Sequence, residues 1–208
     1  MRAGLVALAL TLLALSGRAG AADLRVVDEV LAEVGARPVT LSEVTLARAL
    51  GVLGLEPSSG PVTDAELAKY LDAQLAVRAA TQLGIEVPAA DLDREWENAG
   101  GAALTTRLAA VGVDADWARR LIEADLRVQR FVDLRFRAFA FVTDFDIDEA
   151  LGPGPHDEAT RTRTRDGLRA EMVARSFNAW REDARQRVPI TRIPATPSPW
   201  PPPFEVRS

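Results

Sequence analysis

A mainly α domain with a small β element joining an N-terminal strand to a C-terminal strand is what the sequence predicts, on three observations. Cap-like triplets recur ahead of apolar runs, as in "TLSE" and "TDAE". Apolar residues then return at helical spacing through most of the chain. Only two short stretches, one near each end, alternate as strands do.

The first strand-like stretch is "VVDEVLAEVGARPV", residues 26–39, where Val30, Ala32 and Val34 alternate with Leu31 and Glu33 before a turn at Gly35 and Pro38. It reads as a strand or small hairpin. Thr40 and Glu43 stand at capping-box spacing, so a helix should begin near Leu41, continue through Leu46 and Leu50, and end around Gly54. "GLEPSSGPV" is a loop by composition, and Thr63 to Glu66 repeats the cap. The helix behind it carries Leu67, Leu71 and Leu75 on one face and stops at Gly84.

"VPAADLDREWENAGG" predicts a helix with Pro88 in its first turn and the glycine pair 100 and 101 as its stop. A shorter helix should run from Ala102 to Val111. The longest helix is expected after Asp114 as N-cap, reaching about Ala138, with Trp117, Leu121, Val128 and Val132 along one side. Its flank "RVQRFVDLRFR" is rich in arginine, but Glu123, Asp125 and Asp133 interleave, which describes a solvated face better than a nucleic-acid patch. After the break at Gly152 to Pro155, a helix over 157–187 sets Val173, Phe177, Trp180 and Ala184 on one face for docking. Val188 and Ile190 in "VPITRI" then form a plausible partner for the N-terminal strand.

The two ends read differently. Met1 and Arg2, the apolar run from Gly4 to Leu15, and the small residues Ala19 and Ala21 have the layout of a secretory leader over residues 1–21. The apolar run is shorter than the ~20 residues that cross a bilayer, and no second one follows, so no stable membrane insertion is expected. With no cysteine there is no disulfide, no thiolate metal site and no lipid on an N-terminal cysteine. The expected destination is the periplasm, as a soluble protein. Residues 194–208, "PATPSPWPPPFEVRS" after Ile193, are proline-rich and are expected to be extended or disordered.

Formal net charge is −5, and removing the leader takes away Arg2 and Arg18 and no acid. That balance argues against nucleic acid as a partner and against an anionic membrane surface. Catalytic patterns are scarce as well. His156 is the single histidine and lies in a Gly-Pro loop without the partners a base needs. Asp144, Asp146 and Asp148 occupy positions 1, 3 and 5 of a calcium loop, but Glu149 and Pro155 stand where glycine and glutamate are required. Helix capping by Thr143 or Asp144 accounts for the cluster, and neither metal nor other cofactor is expected. Phe136, Phe139, Phe141 and Phe145 crowd one junction; core packing is the ordinary use of such residues, and an exposed patch gripping apolar peptides is the other.

The order of these pieces, "VVDEVLAEVGARPVTLSEV", "LDAQLAVRAATQLGIEVPAADLD", "GVDADWARRLIEADLRVQRFVDLRFR", "VTDFDIDEAL" and "FNAWREDARQRVPITRI", resembles the N-terminal domain of the SurA family of periplasmic chaperones and parvulin-type peptidyl-prolyl isomerases. In that family the N-terminal strand and helices combine with a closing helix and strand, and parvulin domains are inserted between. The resemblance spans residues 26–193 and implies one chaperone-like domain over 22–193. Parvulin domains would follow "VTDFDIDEAL", yet four residues, Gly152 to Pro155, lead straight into the closing helix. They span at most ~14 Å, too little for an inserted domain. The family's catalytic residues therefore have no counterparts here.

What the resemblance implies is a periplasmic chaperone-like protein, not an enzyme, that binds unfolded or outer-membrane clients. Phe136, Phe139, Phe141 and Phe145 are its candidate client-binding residues. An open cradle with apolar walls would serve a homodimer or a captured client alike. Two alternatives stay open: a dedicated scaffold for one envelope complex, for which the tail "PSPWPPPF" is the cue, and a prolyl isomerase acting through an unrecognised site.

Overall fold

A computed structural model describes residues 28–194. The expected leader, and the proline-rich tail beyond Pro194, lie outside the described residues.

The chain enters through a hairpin of β1 (Val30–Val34) and β2 (Arg37–Thr40), whose tight turn uses Gly35 in the left-handed region at φ 64°. Val34 pairs with Arg37 and Ala32 with Val39, and a bulge between Val30 and Ala32 shifts the register. Alternation turns Ala32, Val34 and Val39 inward and leaves Glu33 outside. The closing strand β3 (Ile190–Arg192) lies antiparallel on the other edge of β1, with Val34 opposite Ile190, so the order is β2-β1-β3. The two ends of the domain thus share one sheet, as the alternation at each end predicts.

Seven α-helices fill the rest of the described chain: α1 (Leu41–Leu50), α2 (Asp64–Gln82), α3 (Ala89–Asn98), α4 (Gly101–Ala110), α5 (Ala115–Arg135), α6 (Asp144–Leu151) and α7 (Glu158–Arg187). Thr63 and Glu66 form a reciprocal capping box on α2, and Asp114 caps α5. Four expectations need correction. The cap of α1 is only half built: Thr40 accepts from the Glu43 backbone N–H, but the Glu43 carboxylate turns into the core. That helix ends at Leu50 rather than near Gly54, because Gly51 takes the left-handed cap at φ 67°. Helix α5 stops at Arg135 rather than Ala138, because Phe136 leaves the helix to enter the core and a 3-10 turn, Arg137–Phe139, follows. The longest helix is α7, with 30 residues against 21 in α5. Its N-terminal half carries little apolar pattern and is held by ion pairs instead.

Two apolar clusters hold these pieces. The larger gathers the sheet with α1 to α5 around Leu46, Leu53, Leu75, Leu121 and Ile122. The smaller lies where α7 crosses α2 and α5, and contains Ala76, Ala80, Phe131, Phe136, Ala140 and Val173. Phe131 meets Phe136 edge-on at 5.7 Å and Trp180 at 4.9 Å, while Phe177 stacks on Trp180 at 5.5 Å. Edge-on and offset ring pairs contribute about 0.5–1.5 kcal/mol beyond area burial. Beside this cluster, Asp72 of α2 accepts Arg185 Nε and Nη2 at 2.8 and 2.7 Å, with Arg181 Nη1 at 3.4 Å. Asp72 is buried, so its charge depends on these arginines.

Two changes would loosen α7 by different routes. Phe131→Ala should cost about 3–5 kcal/mol in urea unfolding, through a cavity at the centre of the aromatic cluster. Asp72→Asn should cost about 2 kcal/mol through weakened charged hydrogen bonds. Wild-type unfolding midpoints in both variants would contradict this account of the docking.

Candidate functional site

The junction between α5 and α6 is where backbone geometry sorts four phenylalanines. Phe136 is buried against Phe131 and Phe177, so it belongs to the core, and its place among the expected client-binding residues is corrected. Phe139 closes the 3-10 turn. Ala140 follows in extended backbone, φ −85° and ψ 90°, and is buried. In extended chain, successive side chains point to opposite sides. With Ala140 inward, Phe141 points outside at 75% exposed, and Phe139, at the end of the 3-10 turn, is 70% exposed. Phe145, in the first turn of α6, is 73% exposed, and Leu134 adds a fourth large apolar side chain at 62%. Summed over the three rings this is on the order of 400 Å² of exposed apolar surface, the size of the largest apolar patches on ordinary monomers, which are often functional.

The segment that carries them is well supported. Thr143 and Asp146 form the capping box of α6, and the hydroxyl and backbone N–H of Thr143 hold the Asp146 carboxyl below its usual range. Ile147 is fully buried beneath α6. Arg161 of α7 pairs with Asp148 and reaches Asp144 at 3.5 Å, and Arg165 reaches Asp144 at 3.4 Å. Arg169, one turn further along α7, donates to the carbonyl oxygen of Arg137 at 3.1 Å. The aromatic segment is thus presented on a backbone fixed from below.

The carboxylates that stand at calcium-loop spacing are engaged in these roles: Asp146 caps, and Asp144 and Asp148 take arginines. Among the described residues no group of three or more histidine, aspartate or glutamate side chains is placed to hold a metal ion. His156 lies within 3.2 Å of the Gly152 carbonyl oxygen through Nε2, a contact that closes the loop between α6 and α7. A shallow depression beside it is lined by Asp148, Glu149, Gly152, Pro153 and Gly154. None of these groups forms a nucleophile–base pair.

A buried polar cluster elsewhere escaped the sequence reading. Tyr70, the single tyrosine, is fully buried on α2 and donates its hydroxyl to Glu43 Oε1 at 2.7 Å, while Arg37 pairs with the same oxygen. Burial, then the Glu43 charge, pushes the Tyr70 phenol far above its usual range. The phenol stays a donor, and the cluster ties β2, α1 and α2 together. The available signal was a polar-tipped ring on an otherwise leucine-rich helix face. Likewise Arg48 is buried and donates to the Gly60 and Pro61 carbonyl oxygens, fastening the loop ahead of α2.

Compared with protein-family models and with curated proteins, the chain matches neither. Among the described residues no helix is long and apolar enough to cross a membrane.

Two measurements probe the supporting chemistry. Burial works to raise the Glu66 pKa, but the Thr63 N–H and hydroxyl, Ser58 and Arg48 bring it from 4.5 down to about 2. A depressed carboxyl stabilises the fold fully above its unfolded value and loses that contribution as pH falls through the folded one. Stability should therefore decline between about pH 4.5 and 2 partly through Glu66, and Glu66→Gln should flatten that part of a pH series of urea melts. An unchanged slope would contradict it. Tyr70→Phe removes one charged hydrogen bond and should cost about 1.5–3 kcal/mol in the same melts. A neutral result would make the cluster incidental.

Proposed function

We propose that this chain is a chaperone-like binding protein of the periplasm that holds unfolded or partly folded exported polypeptides, outer-membrane proteins among them. The observation that carries the reading is the exposure of Phe139, Phe141 and Phe145 on a braced backbone while Phe136 anchors the segment from inside. Extended apolar segments of a client would bury these rings, and no covalent step is needed. Binding by apolar contact alone is weak for any one segment and tolerant of sequence, which suits many clients.

Three further points support it. The leader-like first 21 residues point to export. The order of the elements resembles the N-terminal domain of SurA-type chaperones. The chain passes from α6 to α7 through residues 152–157 only, and the two helices pack on each other, so the reading takes no isomerase module.

The test uses the chain without its leader. An outer-membrane protein diluted from urea should aggregate less at near-stoichiometric ratios of this protein, with prolyl isomerisation in the same sample at the uncatalysed rate. Phe139→Ser, Phe141→Ser and Phe145→Ser together should weaken client binding at least tenfold, about 1.4 kcal/mol, while the urea midpoint stays near wild type. Equal protection by the triple variant would sink the assignment of the site. Binding to a single envelope partner that depends on residues 194–208 and ignores the phenylalanines would support a dedicated scaffold instead.

A further inference from the structure

Residues 142–166 hold α6, the loop behind it and the first part of α7, and they form a helical hairpin whose contacts are nearly all internal. Helix α6 packs on α7 and on no other helix or strand to a comparable extent. Ile147 is fully buried, yet neither it nor Val142 nor Leu151 belongs to the two apolar clusters of the domain body. The ion pairs of Arg161 and Arg165 with Asp144 and Asp148 stay inside the hairpin, as does the contact of His156 with the Gly152 carbonyl oxygen. Among the described residues no side-chain hydrogen bond or ion pair ties residues 142–166 to the body. The nearest such tie, from Arg169 to the Arg137 carbonyl oxygen, lies on the body side. Two covalent crossings therefore carry the hairpin, the extended chain at Ala140 and the helix α7 at Gly167.

Gly167 is exposed inside a 30-residue helix, and a Cβ added there would meet nothing within 4 Å. No close approach calls for glycine, while its backbone freedom weakens a helix interior more than any residue but proline. Sharp bends in helices concentrate at such positions. It stands just ahead of the apolar docking of α7: Met172, Val173, Phe177 and Trp180 follow it, and no residue of α7 before it joins either cluster. Resting on the client-binding reading, we propose that the hairpin is an arm that swings about Gly167 and Ala140 and closes on a bound polypeptide. Phe139 stays with the body, Phe141 lies at the pivot, and Phe145 rides on the arm. Swinging changes the gap between Phe145 and Phe139, so one patch fits apolar segments of different bulk. A client that buries both rings binds the closed arrangement better and shifts the population toward it.

The chain has no cysteine of its own, so nitroxide labels go only where cysteines are introduced. Double electron–electron resonance on the chain without its leader compares two pairs of exposed positions. Leu83→Cys with Glu149→Cys spans body and arm, and Leu83→Cys with Ser176→Cys lies wholly in the body. A bend of ~20° about Gly167 moves a point about 10 Å along the hairpin by roughly 3–4 Å, so the first distance distribution should be broader than the second by about that much. Gly167→Ala, which strengthens the helix, should narrow it, and so should a bound outer-membrane client diluted from urea. Equal widths for the two pairs, or a width that Gly167→Ala leaves unchanged, overturn the arm and leave client binding standing. A client that binds, as read by fluorescence anisotropy, without narrowing the distribution does the same. A client that does not bind at all overturns both this inference and the reading it rests on.

Discussion

The closing helix α7 is the element on which the rest depends, and the constraint that fixes it is its crossing of α2 and α5. At that crossing the rings of Phe131, Phe136, Phe177 and Trp180 interlock, and the buried Asp72 carboxylate receives Arg185 and Arg181. A 30-residue helix with so few apolar residues would not hold its place by itself. Pinned there, it does two things at once. Its C-terminal end delivers β3 to the edge of β1, closing the sheet with the far end of the domain. Its N-terminal half forms a shelf of arginines for α6 and, at the 3-10 turn, a donor for the Arg137 carbonyl oxygen.

That arrangement explains how three phenylalanines stay outside without collapsing inward. Phe136 fills the space under the junction, Ala140 occupies the remaining inward position, and Ile147 seats α6. Room for Phe139, Phe141 or Phe145 is therefore already taken. Their exposure costs solvation free energy that the fold could have avoided with polar residues, and the proposed capture of apolar polypeptide would offset that cost.

Much of the architecture was legible in the residues. The caps at Thr63 and Asp114, the glycine stops after α2 and α3, the periodic faces of α2 and α5, and the pairing of the terminal strands all follow from local rules, and the structure shows them. What was hidden depends on partners distant in sequence. Thr40 and Glu43 have capping-box spacing, but a buried Tyr70 and the nearby Arg37 compete for the Glu43 carboxylate and win. The full run of α7 was readable from Asp157 onward, and its expected bounds, 157–187, already made it longer than the helix expected to end near Ala138. The aromatic junction was partly readable: four phenylalanines in ten residues mark a spot, but composition does not sort one inside from three outside. The backbone at Phe136 and Ala140 makes that distinction.

Photo-cross-linking to an unfolded outer-membrane client tests the central claim most directly. With p-benzoylphenylalanine placed in turn at Phe139, Phe141 and Phe145, and at the exposed Leu83 of a different surface as a control, the expected result is client adducts from the first three positions and little from Leu83. Adducts that form equally at all four positions, or only at Leu83, would contradict a client surface at the aromatic junction.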